Sequence, residues 1–183
     1  MRRHRISLTL MSLAIAGCAT VQSVMPLKAD YSTVPEDALR SLAREIEREV
    51  SRGNRDFAPK QRDGLVLDTP EIKQAIRVRA ARAQLVSELL DTGHAWERNN
   101  GLVSIIRTGA YKRATTPQIR DRNALLVMNE NQNRWALYEG IVNASGFAPS
   151  ALDAVQALFF EARQQSLQSG QAYEGSDGKP VSK

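Results

Sequence analysis

Between Asp37 and Arg52 the apolar residues Leu39, Leu42, Ala43, Ile46 and Val50 recur at spacings of three and four, the period of a helix that buries one stripe. Gly53 and Asn54 end this first helix, since both tolerate left-handed backbone. After a loop over 54–68, Thr69-Pro70-Glu71 reads as a helix start: a hydroxyl cap, a proline at the first position and an acid in the first turn. That helix is expected to run to Thr92 and stop at Gly93, burying Ile72, Ala75, Ile76, Ala80, Ala83, Val86 and Leu90. Its small alanines predict close helix–helix approach. The glycine-bounded stretch 93–101 reads as a loop, and Leu102 to Ile106 as a strand or a buried turn. Thr116-Pro117 repeats the cap-and-proline signature and opens a helix to about Ser145. Its expected core residues are Ile119, Leu126, Met128, Trp135, Leu137, Tyr138, Ile141 and Val142, and its polar middle, Asn129 to Arg134, allows a kink. Ser150 with Asp153 resembles a capping box for a last helix burying Ala151, Val155, Leu158, Phe159, Ala162 and Leu167. Asp177-Gly178 suits a tight hairpin turn. The expected fold is mostly α, with about four helices and a short C-terminal hairpin or extended tail.

The amino-terminal pattern differs in kind. Arg2, Arg3 and Arg5 precede an apolar run from Ile6 to Ala16, broken only by Ser7, Thr9 and Ser12. This is the layout of a secretory signal peptide, and the run has about half of the ~20 residues that a transmembrane helix needs. Ile15-Ala16-Gly17-Cys18 resembles the bacterial lipobox, in which the cysteine becomes the first mature residue and carries a thioether-linked diacylglycerol. Cys18 is the sole cysteine, so no intramolecular disulfide can form. The expected organisation is a signal peptide over 1–17, a lipid-anchored flexible tether over 18–36, and one helical domain over 37–183. The roughly 17 residues over 19–35, fully extended, reach at most roughly 55–60 Å. Ala19 stands where an aspartate tends to retain lipoproteins in the inner membrane, so in a Gram-negative host the outer membrane, facing the periplasm, is the expected location.

Export changes the meaning of the charge. Removing residues 1–17 takes away three arginines and no acid, and the net charge falls from +5 to +2. A nucleic-acid partner calls for a strong basic face and is not expected. Arg40, Arg44, Arg48 and Arg52 recur along one flank of the first helix, facing either anionic headgroups or the interleaved Glu45, Glu47 and Glu49. A solvated, salt-bridged flank is the preferred reading. Aromatic residues make up 5% of the chain, too few for a carbohydrate surface of stacked rings.

The chemistry-bearing residues are sparse. His94 is the one histidine beyond the signal peptide, which leaves no ligand set of metal-site spacing, and no phosphate-cradling glycine loop is present. No catalytic residue, cofactor or metal is expected. The candidate weighed against this is Glu97 beside Trp96, because an apolar neighbour raises a carboxyl pKa and a cell-wall hydrolase can work with one glutamate.

Three segments carry a family resemblance. Gly93, Glu97, Gly101 and Leu102 are similar to the Gly-x-x-Gly-Glu-x-x-x-Gly-Tyr-Leu segment of the YdbL family of small bacterial envelope proteins. Asn131, Arg134 and Tyr138 resemble that family's Asn-x-x-Arg-x-x-x-Tyr helix, and the tail from Tyr173 to Lys183 resembles its Tyr-Val-Gln…Gly-Lys-Trp-Val ending. Order and spacing agree over roughly residues 83–183. Trp96, Leu102 and Pro180 depart from the pattern, standing where the family has glycine, tyrosine and tryptophan. The resemblance implies a non-enzymatic envelope role, as an accessory to an AsmA-like membrane-spanning protein in a lipid-transfer bridge. Arg134 and Tyr138 share a helix face, with Asn131 one turn before. Glu97 is expected to accept from Arg134, so that Gly93, Glu97, Gly101, Asn131, Arg134 and Tyr138 pin the loop against the helix. That cluster either shapes a partner-binding edge or only stabilises the fold. The leading functional reading is thus a lipid-anchored accessory or assembly factor working through protein contacts. The alternative is a peptidoglycan-binding or peptidoglycan-cleaving protein using Glu97.

Overall fold

The computed structural model describes residues 30–183. The signal peptide, Cys18 and most of the tether lie outside the described residues. Helix α1 spans Glu36–Ser51, α2 Pro70–Asp91, a short α3 Gly109–Ala114, α4 Pro117–Ala144 and α5 Leu152–Ser166. Strands β1 (Ala95–Glu97), β2 (Val103–Ile105), β3 (Ala172–Glu174) and β4 (Pro180–Ser182) form one four-stranded sheet of order β2-β1-β3-β4. The mostly α expectation with a C-terminal hairpin holds. None of the described helices is long and apolar enough to cross a membrane.

The helix starts follow from local chemistry. The hydroxyl oxygens of Thr69 and Thr116 accept from the backbone N–H of Ile72 and Ile119, each at 3.3 Å, and a proline follows each cap where the missing N–H costs nothing. Thr108 caps α3 in the same way, by accepting from Tyr111 N–H at 3.2 Å. The capping box expected at Ser150 does not form. Pro149–Ala151 makes a 3-10 turn instead, and α5 starts directly from Ala151 with no side-chain cap.

Two packed helix pairs build the core, α2 against α4 and α1 against α5. Leu39, Leu42, Ile46, Ile72, Ile76, Leu137, Ile141, Val155 and Phe159 are buried together between them. The close approach predicted from the alanines of α2 is sharpest at Gly140, where an added Cβ would lie 3.0 Å from Cγ1 of Ile72.

Helix α4 corrects the sequence reading twice. It runs unbroken through its polar middle, where Glu130, Asn131 and Arg134 bond to other elements of the fold. Ile119, Met128 and Trp135, expected in the core, are exposed; Leu126 and Val127 instead turn the amino-terminal half of α4 onto Val86, Leu89 and Leu90 of α2, and Glu130 and Arg134 are buried beyond them. The stretch 93–115 resolves into a β-hairpin and α3. β1 pairs antiparallel with β2 (Trp96 opposite Ser104) and parallel with β3 (Trp96 opposite Ala172), and β3 pairs antiparallel with β4 (Tyr173 opposite Val181). Glu97 therefore belongs to a central strand, not to a loop.

Candidate functional site

Six charged side chains close a ring beneath the sheet. The Arg79 guanidinium holds both oxygens of Glu47 at 2.9 Å, and its Nε donates to Glu130 Oε1 at 2.9 Å. The same Glu130 oxygen accepts from Arg134 Nε at 2.8 Å. Arg134 then grips Glu97 with both terminal nitrogens, at 2.6 and 2.9 Å. Arg163 Nε donates to Glu97 at 2.8 Å and its Nη1 returns to Glu47 at 3.1 Å. Each carboxylate meets two arginines and each arginine two carboxylates, so three positive and three negative charges cancel. None of the six side chains is more than 5% exposed.

The ring joins every long element of the fold: Glu47 comes from α1, Arg79 from α2, Glu97 from β1, Glu130 and Arg134 from α4, and Arg163 from α5. Two neutral groups extend it. The Tyr138 hydroxyl lies 2.8 Å from the Gly101 carbonyl and accepts from Arg163 Nη1 at 3.0 Å, and Arg163 Nη2 donates to the same carbonyl at 2.8 Å. Asn131 acts at the sheet edge. Its Oδ1 accepts from Val103 N–H and its Nδ2 donates to Val103 C=O, both at 2.9 Å, so one side chain stands in for the neighbouring strand that β2 lacks.

Electrostatics keep the ring charged. Burial would raise the Glu97 carboxyl, but the guanidinium charges of Arg134 and Arg163 outweigh it and hold Glu97 below the ordinary carboxylate range. The same balance lowers Glu47, through Arg79 and Arg163, and lowers Glu130 to about 2, through Arg79 and Arg134. Burial pushes the Tyr138 hydroxyl up, against the opposing pull of the arginines.

Of the residues singled out from sequence, Glu97, Gly101, Asn131, Arg134 and Tyr138 come together, with the Glu97–Arg134 pair at the centre. Gly93 does not join them. It is exposed, ends α2 at φ +69°, and an added Cβ there would meet nothing within 4 Å. His94 packs edge-on against Tyr111, with ring centroids 5.2 Å apart. Four ring members escape the sequence reading: Glu47, Arg79, Glu130 and Arg163. Glu47 is expected on the solvated flank, yet it is 4% exposed. The flank beside it is as expected, with Arg48 and Arg52 both pairing with Glu49. The available signal is charge on an apolar stripe, for Glu47 lies four residues after Ala43, Arg79 three after Ile76 and Arg163 four after Phe159.

Gly101 has a measurable role. At φ +78° it occupies left-handed backbone, and an added Cβ would lie 3.1 Å from Tyr138 Cε2 and 3.3 Å from the Gln156 carbonyl. The variant Gly101→Ala is expected to lose roughly 1–3 kcal/mol from backbone strain, with more from the displaced Tyr138. Urea denaturation checks this as a lower midpoint at unchanged slope.

No protein-family model, curated protein or solved structure matches the chain.

Proposed function

We propose that the chain is a lipoprotein anchored through Cys18 in the cell envelope, at the outer membrane facing the periplasm in a Gram-negative host. There it acts as a non-enzymatic accessory or assembly factor through protein–protein contacts. The observation that carries the reading is how the ring uses its carboxylates. Glu97, the one candidate acid, is 2% exposed, with both oxygens engaged by guanidinium groups. A general acid must carry a proton near the working pH; Glu97 is held ionised by the guanidinium charges of Arg134 and Arg163, which outweigh its burial. The cluster thus serves as a clamp, leaving the surface to act. Leu125 and Met128 stand 55% and 58% exposed on α4, and Trp135 follows about two turns beyond Met128 on the same face. Together they offer a contact surface of the kind a protein partner covers. The YdbL resemblance supplies the partner class, an AsmA-like envelope protein.

Cross-linked envelopes from cells carrying the tagged full chain test the reading, with co-purified proteins identified by mass spectrometry. Recovery of a large AsmA-like protein is expected. Recovery of peptidoglycan fragments and cell-wall enzymes alone overturns it. For the anchor, incorporation of an alkyne-tagged fatty acid should be lost completely in Cys18→Ser, and labelling that survives this change would remove the lipoprotein reading.

A further inference from the structure

The ring is also the floor of a cavity. A space of about 150 Å³ opens between α1, α2 and the end of α5, and all six ring residues line it. Val50, Ala83, Val86, Leu90 and Leu167 supply its apolar lining, and neutral polar side chains, Ser87 and Gln171 among them, share the wall. Among the buried side-chain polar atoms described, one finds no partner: Glu130 Oε2. The other oxygen of that carboxylate accepts from both Arg79 and Arg134, and the side chain is 3% exposed. A buried acceptor without a donor is costly, more so when charged, so a group of this kind calls for an explanation.

We infer that this cavity is a binding site for a small neutral molecule that carries a hydroxyl or primary amide on a short aliphatic body. Its O–H or N–H would donate to Glu130 Oε2, with the body against Val50, Val86 and Leu90. Three features select that class. The orphan atom is an acceptor, which requires a donor on the ligand. The charges lining the cavity already cancel, so a cation or an anion would bring a net charge into a buried place with no counter-charge left to meet it. A guanidinium has five N–H groups and Arg79 makes three hydrogen bonds, which leaves it N–H capacity toward the ligand's own oxygen. Size sets the limit, since a cavity near 150 Å³ takes a molecule about as large as benzene. The site is independent of the partner proposed above, because it faces the space among α1, α2 and α5 and not the exposed face of α4.

Four probes of similar size separate the possibilities: butan-1-ol, its isomer methyl propyl ether, butylammonium and butyrate. Each is titrated into the methyl-labelled full chain, and binding is read by NMR at Val50, Val86, Leu90 and Leu167. Butan-1-ol is expected to saturate in roughly the millimolar range and to bind at least about tenfold more tightly than the other three. The ether has the same apolar body without a donor, so equal binding of the ether would overturn the role of Glu130. Tightest binding by butylammonium or butyrate would overturn the neutral class, and no saturable shift with any probe would overturn the site. These comparisons need no variant. Ala83→Leu adds a second arm, because it fills the cavity from a wall position that makes no bond to the ring. Loss of butan-1-ol shifts in a folded Ala83→Leu protein is expected, and unchanged shifts there would place the alcohol elsewhere.

Discussion

Replacing Arg134 by Met should lower the unfolding free energy by roughly 3–5 kcal/mol, the cost of breaking a buried ion pair from one side. The side chain is 2% exposed and touches two carboxylates, so its loss leaves Glu97 with Arg163 alone and Glu130 with Arg79 alone. The penalty comes from stranded charge more than from lost attraction, which gives the prediction a second part. Glu97→Gln in the Arg134→Met background should recover part of the loss, and a double-mutant cycle should return a coupling of about 0.5–3 kcal/mol. Arg134→Lys keeps the charge but not the fork, and one ammonium cannot reach Glu130 and both oxygens of Glu97 together. It is expected to fall between Met and wild type. Urea denaturation measures all of these proteins, and a loss below about 1 kcal/mol for Arg134→Met would show that the ring is not a cooperative clamp.

The same ring explains what the sequence disclosed and what it hid. Helix positions were legible because apolar spacing and Thr-Pro caps are local signals, and α1, α2 and α4 start and stop within a residue or two of expectation. The Glu97–Arg134 pair was legible because a spaced pattern on one helix, Asn131, Arg134 and Tyr138, pointed back to one segment. The other four members of the ring were not. Glu47, Arg79 and Arg163 are separated by 32 residues or more in sequence, and a charge on an apolar stripe looks like a flank until its partner is known. On α4 the expected apolar face holds at Leu137, Tyr138, Ile141 and Val142 but fails at Ile119, Met128 and Trp135, for the complementary reason. Glu130 and Arg134 occupy its buried side, so Met128 and Trp135 point outward, and periodicity counted on apolar residues alone selects the wrong arc. The sheet was hidden because three-residue strands carry almost no alternation to read.

Acid should unfold the domain over a window set by the three ring glutamates. Above an ordinary carboxyl pKa of 4.5, both folded and unfolded chains hold Glu47, Glu97 and Glu130 ionised, so these groups give stability no slope with pH. Below 4.5 the unfolded chain takes up protons that the folded chain refuses, since each carboxyl is depressed by its guanidinium partners despite burial. Stability is therefore fully present above 4.5 and is lost as pH falls toward the folded values, about 2 for Glu130. That group alone accounts for about 3 kcal/mol across the window, because each pH unit between its unfolded and folded values contributes about 1.4 kcal/mol. Glu47 and Glu97 are lowered in the same direction and steepen the loss, which matters for a domain whose typical stability is only about 5–15 kcal/mol. Tyr138 acts at the other end. Its raised hydroxyl stays protonated in the folded chain where the unfolded chain ionises at its ordinary 10.0, so stability should also fall above pH 10. Urea midpoints measured from pH 7 to pH 2.5 check the acid limb. A steep fall starting between pH 4.5 and 4 is expected, and a profile flat to pH 3 would mean that the ring glutamates are not held ionised by their arginines.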